Sequence, residues 1–392
     1  MIRFGIVGTG SRGLNAFGRN LRERFGDRSD ITALCDSDPT RLGFAAKTLG
    51  VETTYQSVSA LIADSNVDVV VITTPDFTHA NIALEAIDAG KHVICEKPLA
   101  TSIEDCNKVL AAGRGSDRLF MVGFVLRYTP FFAALHKAVS RGEIGQPSFL
   151  TAIDNRVGGS YFRRWHRLRR NSGGLLVHKS CHALDAINWI FDERPTAVAA
   201  VGGIAVYSPK DWAGERCLTC DAKQTCPEYT DITQGQNARL YYEAEATSGY
   251  IADTCVFNSE KDTVDHAAAY VEYDGGPRAS YSLCLFASYT GREFGVWGAD
   301  GKLEGTETGH SLRLTRAVGE TVVTHPVERR EGGHGGGDVG LLEDCFSALA
   351  SDRDPSAGLE AGYWAAVLGI AAEESVARGG ERVPLAELGA EG

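Results

Sequence analysis

The chain has 392 residues, 43% hydrophobic and 23% charged, which suits an ordinary globular protein with room for two domains. Its 39 Lys and Arg stand against 51 Asp and Glu, a formal net charge of -12 that repels a polyanionic backbone and argues against nucleic acid as a partner. No run of eighteen or more apolar residues appears, which argues against a membrane span, and ten cysteines, several inside apolar runs, suit buried thiols in a reducing, cytoplasmic compartment.

The chain opens on an apolar strand pattern, IRFGIVG, with no basic leader and cleavage site before it. The strand runs into Gly8-Thr9-Gly10-Ser11-Arg12-Gly13 and a helix, and a second strand, ITALCD, ends at Asp36. Strand, GxGxxG, helix and an acid about 20 residues on make the dinucleotide fingerprint. Gly8 permits the tight turn, Gly10 lets the backbone approach a pyrophosphate, and Gly13 lets helix and strand pack closely. Asp36 is expected to bind the adenosine-ribose hydroxyls and repel a 2'-phosphate, favouring NAD. Arg41 keeps NADP open, because a guanidinium could accept that phosphate.

VDVVVITTP (67–75), KHVICEKP (91–98) and LFMVGF (119–124) read as further buried strands separated by helices, hence a doubly wound parallel Rossmann sheet. Ligands to such a sheet sit beyond the carboxyl ends of its strands, where Thr74, Pro75, His79, Glu96, Lys97 and Pro98 fall.

The next stretch, SYFRRWHRLRRNSGG (160–174), concentrates Arg163, Arg164, Trp165, Arg167, Arg169 and Arg170. It reads either as a subsite for an anionic or glycosyl ligand or as a basic loop paired with the surplus acids. GGLLVHKSCHALDAIN (173–188) reads as one amphipathic helix with His178, His182, Asp185 and Trp189 on a single stripe. Three uses of the histidines compete: metal ligands, polar groups satisfied at a helix start, or acid/base and substrate-binding groups.

After Pro195, segments including VAAVGGIAVY, LYYEAEA, AAYVEYDGG, PRASYSLCLF and REFGVWGAD alternate apolar and polar residues, predicting a large open, mainly antiparallel sheet in an α+β domain. One sheet face is free to pair with another subunit, so a homodimer or homotetramer is expected. Within a Cys-rich insertion at 207–230, Cys217, Cys220 and Cys226 have the spacing of a Zn knuckle. Cys255 is a fourth candidate ligand, with free thiols or a disulfide as the alternatives. GGHGGGDVG then places His334 on a glycine-rich arm that reaches a pocket or is simply a loop. The domains are set at 1–125 for cofactor binding and 126–392 for substrate binding and oligomerisation.

Taken together, GTGSRG, TPDFTH, EKPL, GFVLRYTP and the histidine segment followed by an open sheet resemble the Gfo/Idh/MocA oxidoreductases over nearly the whole chain. That resemblance implies that Lys97 of EKP contacts both substrate and nicotinamide, that the Lys97-Pro98 peptide is cis, and that a helix pair at positions 178 and 182 is catalytic. Position 178 is His where many members have Asp, whereas His182 matches. The resemblance also nominates Arg127, Tyr128 and Tyr161 for the substrate pocket. An imidazole beside the cofactor can take the hydroxyl proton, making His182 the expected base, with Lys97 stabilising charge on the reacting oxygen. The expected function is an NAD-dependent dehydrogenase of a sugar, glycoside or cyclitol alcohol. The alternatives are a glycosidase that recycles its NAD and a non-catalytic NAD-linked sensor.

Overall fold

The structure is a computed structural model that describes residues 1–316, 322–328 and 330–391. Six parallel strands form the first sheet: β1 (Ile2–Val7), β2 (Ser29–Cys35), β3 (Thr54–Tyr55), β4 (Val69–Ile72), β5 (His92–Cys95) and β6 (Phe120–Val122), in the order β3-β2-β1-β4-β5-β6. The order reverses between β1 and β4, the point at which such sheets open a crevice for a dinucleotide. The strands are short unbroken apolar runs because both faces are covered; all four residues of β4 are fully buried.

Part of that cover comes from far along the chain. Helix Gly337–Ser351 packs on the first sheet, where Phe346 meets Phe4 edge-on at 5.9 Å and Phe25 at 5.1 Å. Between β2 and β3, helix Pro39–Leu49 starts on Asp38, whose side chain accepts from the Arg41 N–H, with proline in its first turn. It stops at Gly50, which is left-handed at φ 65°.

The second sheet has nine strands: β7 (Pro147–Val157), β8 (Pro195–Gly203), β9 (His266–Tyr273), β10 (Arg278–Cys284), β11 (Phe286–Gly298), β12 (Gly301–Thr306), β13 (Ser311–Arg316), β14 (Val322–Pro326) and β15 (Val383–Pro384). Their order is β14-β13-β12-β11-β7-β10-β9-β8-β15, antiparallel except where β10 runs parallel to β7. Helices Cys181–Phe191 and Leu359–Ala377 cover one face. The other face exposes Ile153, Val157, Val201 and Tyr270.

Two expected elements differ. LYYEAEA is not a strand: residues Ala238–Tyr242 form a wide helical turn and Glu245–Ser248 a short helix. Leu240, Tyr241 and Ala244 are the buried positions, a helical spacing that the alternation of small and acidic residues disguised. The histidine segment is also two helices, Leu175–His178 and Cys181–Phe191, separated at Lys179-Ser180. Tertiary contacts pull that junction apart: Lys179 Nζ donates to Asp154 Oδ2 at 2.7 Å and Tyr281 Oη to Ser180 Oγ at 2.9 Å. The stripe through His178, His182, Asp185 and Trp189 is therefore interrupted after its first member. Among the described residues no helix is long and apolar enough to cross a membrane.

Candidate functional site

A cleft of about 1480 Å³ runs from the glycine loop after β1, past the ends of β4 and β5, to the second sheet. Backbone geometry demands the glycines at its mouth. Gly8 sits at φ 92°, and a Cβ on Gly13 would stand 2.0 Å from the Gly8 carbonyl oxygen. A Cβ on Gly10 would come within 4 Å of Tyr241 Oη and nothing else, so this position is open to the cleft. The loop therefore fits a dinucleotide pyrophosphate.

The Asp36 carboxylate lines the same end. It accepts from Thr9 N (2.8 Å), Asp38 N (3.0 Å) and both prongs of Arg41 (3.0 and 2.9 Å). Burial alone would raise its pKa, but the Arg41 fork and the backbone donors outweigh it and hold the group below the usual carboxylate range. Arg41 is thus engaged by Asp36 itself. Arg12 bridges Glu96 (2.6 Å) and Asp338 (2.6 Å), tying the loop to helix Gly337–Ser351. His79 is fully buried, its ring joining the carbonyls of Pro98 (2.8 Å) and Thr74 (3.0 Å), and so braces the two loops at the sheet edge. Ser11, Thr74, Pro75, Glu96 and Lys97 line the cleft, and the Lys97-Pro98 bond is cis.

Lys97 Nζ donates to the His178 carbonyl at 2.7 Å, which uses one of its three N–H bonds. His178 and His182 both reach the cleft despite the helix break. His182 Nδ1 is buried with no hydrogen-bond partner. Burial, then the charges of Lys97, Arg292 and Lys179, hold this imidazole well below its ordinary pKa, so it is neutral near pH 7.

His178 Nδ1 lies 2.6 Å from Asp76 Oδ2. Burial pushes the Asp76 carboxyl up to about 7, and burial pushes His178 well down. Both directions describe a dyad that holds a single proton between the two groups. His166 stacks on His178 at 4.7 Å, while Trp165 meets it edge-on at 5.4 Å and Tyr161 at 6.1 Å, making an aromatic wall.

The chain matches two family models, "Oxidoreductase family, NAD-binding Rossmann fold" over residues 2–124 and "Oxidoreductase family, C-terminal alpha/beta domain" over residues 136–385. It is 33% identical over 413 residues to YteT of Bacillus subtilis (strain 168), an oxidoreductase by name, with 95% of each chain covered. This chain belongs to the Gfo/Idh/MocA oxidoreductase family. It is also 35% identical over 202 residues to the inositol 2-dehydrogenase of Rubrobacter xylanophilus, a match over 49% of this chain and 53% of that protein. The structure of a levoglucosan dehydrogenase in complex with NADH and levoglucosan superposes with a TM-score of 0.76 at 20% identity, covering 98% of this chain and 99% of that one, a likeness of fold.

Four expected substrate residues do not line the cleft of this family member. Arg127 forks onto the fully buried Asp185 (2.9 and 2.6 Å) and donates to the Ser356 carbonyl, an internal ion pair that joins distant segments. Tyr128 Oη donates to Asp344 at 2.8 Å, and Arg163 is buried against the Glu228 carbonyl. The basic loop is largely consumed in the same way: Arg170 pairs with Glu260, Arg169 with Glu373, and Arg167 donates to backbone carbonyls. Arg164 and Trp165 do line the cleft, with Arg164 stacked over Tyr241 at 4.4 Å. His334 also lines it, half-exposed and 3.1 Å from Asp338.

Cys217, Cys220, Cys226 and Cys255 converge on a separate cavity of about 20 Å³ as free thiols. Among the described residues no group of three or more His, Cys, Asp or Glu is placed to hold a metal ion, so the expected Zn staple is not shown.

Sequence reasoning missed Asp76, Arg156, Lys179, Arg292 and Tyr241. Asp76 sits in the quoted TPDFTH and could have been found as an acid at a strand's carboxyl end. Tyr241 belongs to the misread LYYEAEA and offers its phenol to the Ser11 N–H at 3.4 Å.

Proposed function

We propose that this protein is an NAD-dependent dehydrogenase acting on a secondary alcohol of a sugar or cyclitol. Residues 1–125 would hold the cofactor, 126–392 the substrate, and the exposed apolar face of the second sheet would join subunits. The observation that carries the reading is that Lys97, held by the His178 carbonyl, and a neutral His182 whose buried Nδ1 has no hydrogen-bond partner both line the cleft that begins at the dinucleotide loop. Bound NAD supplies the hydride acceptor. Lys97 hydrogen-bonds the substrate oxygen with one of its remaining N–H bonds and stabilises the negative charge developing there. His182 accepts the hydroxyl proton. The aromatic wall of Tyr161, Trp165 and His166 covers a sugar face and excludes water. Asp36 accepts the adenosine-ribose hydroxyls and disfavours a 2'-phosphate, so NAD is preferred to NADP.

The Asp76–His178 dyad favours a second reading. It is a further base, suited to removing a proton beside an oxidised carbon, as an NAD-recycling glycosidase requires. One assay separates the two: NAD-loaded protein is mixed with sugars, cyclitols and nitrophenyl glycosides while NADH and nitrophenolate are followed together. The dehydrogenase reading predicts net NADH; nitrophenolate released without net NADH would replace it by the recycling reaction.

A further inference from the structure

Beyond His182, the sheet end of the cleft holds five charged side chains in contact. Asp154, fully buried on β7, accepts from Lys179 Nζ at 2.7 Å, Arg156 Nε at 2.6 Å and Arg292 Nε at 3.2 Å. Arg292 also forks onto Glu307 at 3.0 and 2.8 Å. Three cations thus share two carboxylates. Arg156, Lys179, Arg292 and Glu307 all line the cleft, and Lys179 and Arg292 are each 4% exposed.

Burying an uncompensated positive charge is expensive unless a partner arrives to share it. One donor lacks a hydrogen bond: Arg156 Nη2 is buried, with Glu307 Oε2 at 3.5 Å as its ionic contact. The excess is large enough to be felt on a neighbour, since burial and then repulsion from Arg292 push Lys179 down to about 7 even with Asp154 beside it. The imbalance extends along the whole cleft, which is lined by ten Lys and Arg against seven Asp and Glu in a chain of net charge -12. A dinucleotide pyrophosphate would lie at the glycine loop and would not neutralise the far end.

We infer that the substrate is a sugar acid, a uronate whose carboxylate is taken by Arg156 together with Lys179 and Arg292. This rests on the dehydrogenase reading for the chemistry at the hydroxyl, but not for the binding of the acid. With Lys179 pushed down to about 7 the spare charge is at most a single unit, which matches a carboxylate better than a dianionic phosphate. A planar carboxylate also suits the edge of a guanidinium already fixed at Nε by Asp154. With the acid group anchored there, a ring hydroxyl of the same sugar is presented toward His182 and Lys97.

The test compares matched pairs, galactose with galacturonate and glucose with glucuronate, along with the corresponding sugar phosphates. Turnover is measured on NAD-loaded protein and binding on NADH-loaded protein by quenching of the cofactor's fluorescence. The inference predicts that kcat/KM for a uronate exceeds that of its neutral partner by about 10- to 100-fold, the worth of one charge-assisted hydrogen bond. Arg156→Gln should bring the ratio close to one, and Arg156→Lys should recover part of it. Equal or better turnover of neutral sugars, or a preference for sugar phosphates, overturns the subsite and leaves the dehydrogenase reading intact. Binding of uronate but not of neutral sugar, dependent on Arg156 and without turnover, supports the subsite and sinks the dehydrogenase reading. Absence of both binding and turnover for every uronate overturns the inference.

Discussion

Replacing Asp76 by Asn removes a carboxyl without changing its size, and the structure sets both consequences. The group is buried, and burial carries its pKa from 3.8 to about 7 against the pull of Lys97. Between those two values the folded chain keeps a proton that the unfolded chain has released, so this group's contribution to stability falls as the pH rises through that window and is level above it. At about 1.4 kcal/mol for each tenfold in the ionisation constant, about 4 kcal/mol is withdrawn from the fold by about pH 8. Asparagine carries no charge to desolvate but weakens the 2.6 Å contact with His178, a loss of about 1–3 kcal/mol at any pH. Asp76→Asn is therefore expected to melt below wild type near about pH 4 and at or above it near about pH 8. Taking the difference between the two proteins cancels the other titrating groups. Turnover should fall by about 10- to 100-fold, because His178 loses the partner that fixes its proton. Thermal melts at the two pH values, with kcat/KM alongside, decide it. A melting difference that does not change with pH, or full activity in Asp76→Asn, would refute the reasoning.

Three further predictions follow from individual contacts. Asp36→Ala removes both the ribose acceptor and the Arg41 partner, so the ratio of NAD to NADP affinity should drop by about tenfold or more; cofactor titrations check this, and an unchanged ratio means Asp36 does not read the ribose. Gly13→Ala drives a Cβ to 2.0 Å from the Gly8 oxygen, so the loop must open and dinucleotide affinity should collapse; tight binding in this variant contradicts the loop assignment. His166, His178 and His182 are all held neutral by burial, with pKa values well below 6.5. Their contribution is complete above the unfolded value and is lost as the pH falls below about 6.5, so wild-type melting temperature should decline on acidification from about pH 7 to about pH 5.

The first domain was legible because its signals are local. A glycine loop, buried strand runs and an acid at fixed spacing are dictated by a turn and a sheet within one stretch of chain, and Gly8, Gly13, Asp36 and Lys97 fall where the spacing puts them. The second half was legible as a sheet but not in its details. β10 runs parallel to β7 across more than a hundred intervening residues, which no local alternation encodes. The histidine segment has the periodicity of one helix, and only the pull of Asp154 on Lys179 and of Tyr281 on Ser180 breaks it. The carboxylate that meets His178 comes from Asp76, 102 residues away in the chain. Arg127 and Asp185 carry the residue types of a binding site, but each is satisfied by the other, 58 residues apart.

Hydride transfer to NAD from a carbon-bound hydroxyl is the step proposed for Lys97 and His182. Its most direct test is NADH formation by wild type and by Lys97→Met on the same sugar, cyclitol and uronate panel, with NAD affinity measured in parallel from the quenching of tryptophan fluorescence. NADH is expected from wild type, none above background from Lys97→Met, and NAD affinities within about a factor of three of each other, because the role proposed for Lys97 is at the reacting oxygen and not at the adenosine end. Normal NADH formation by Lys97→Met would contradict it.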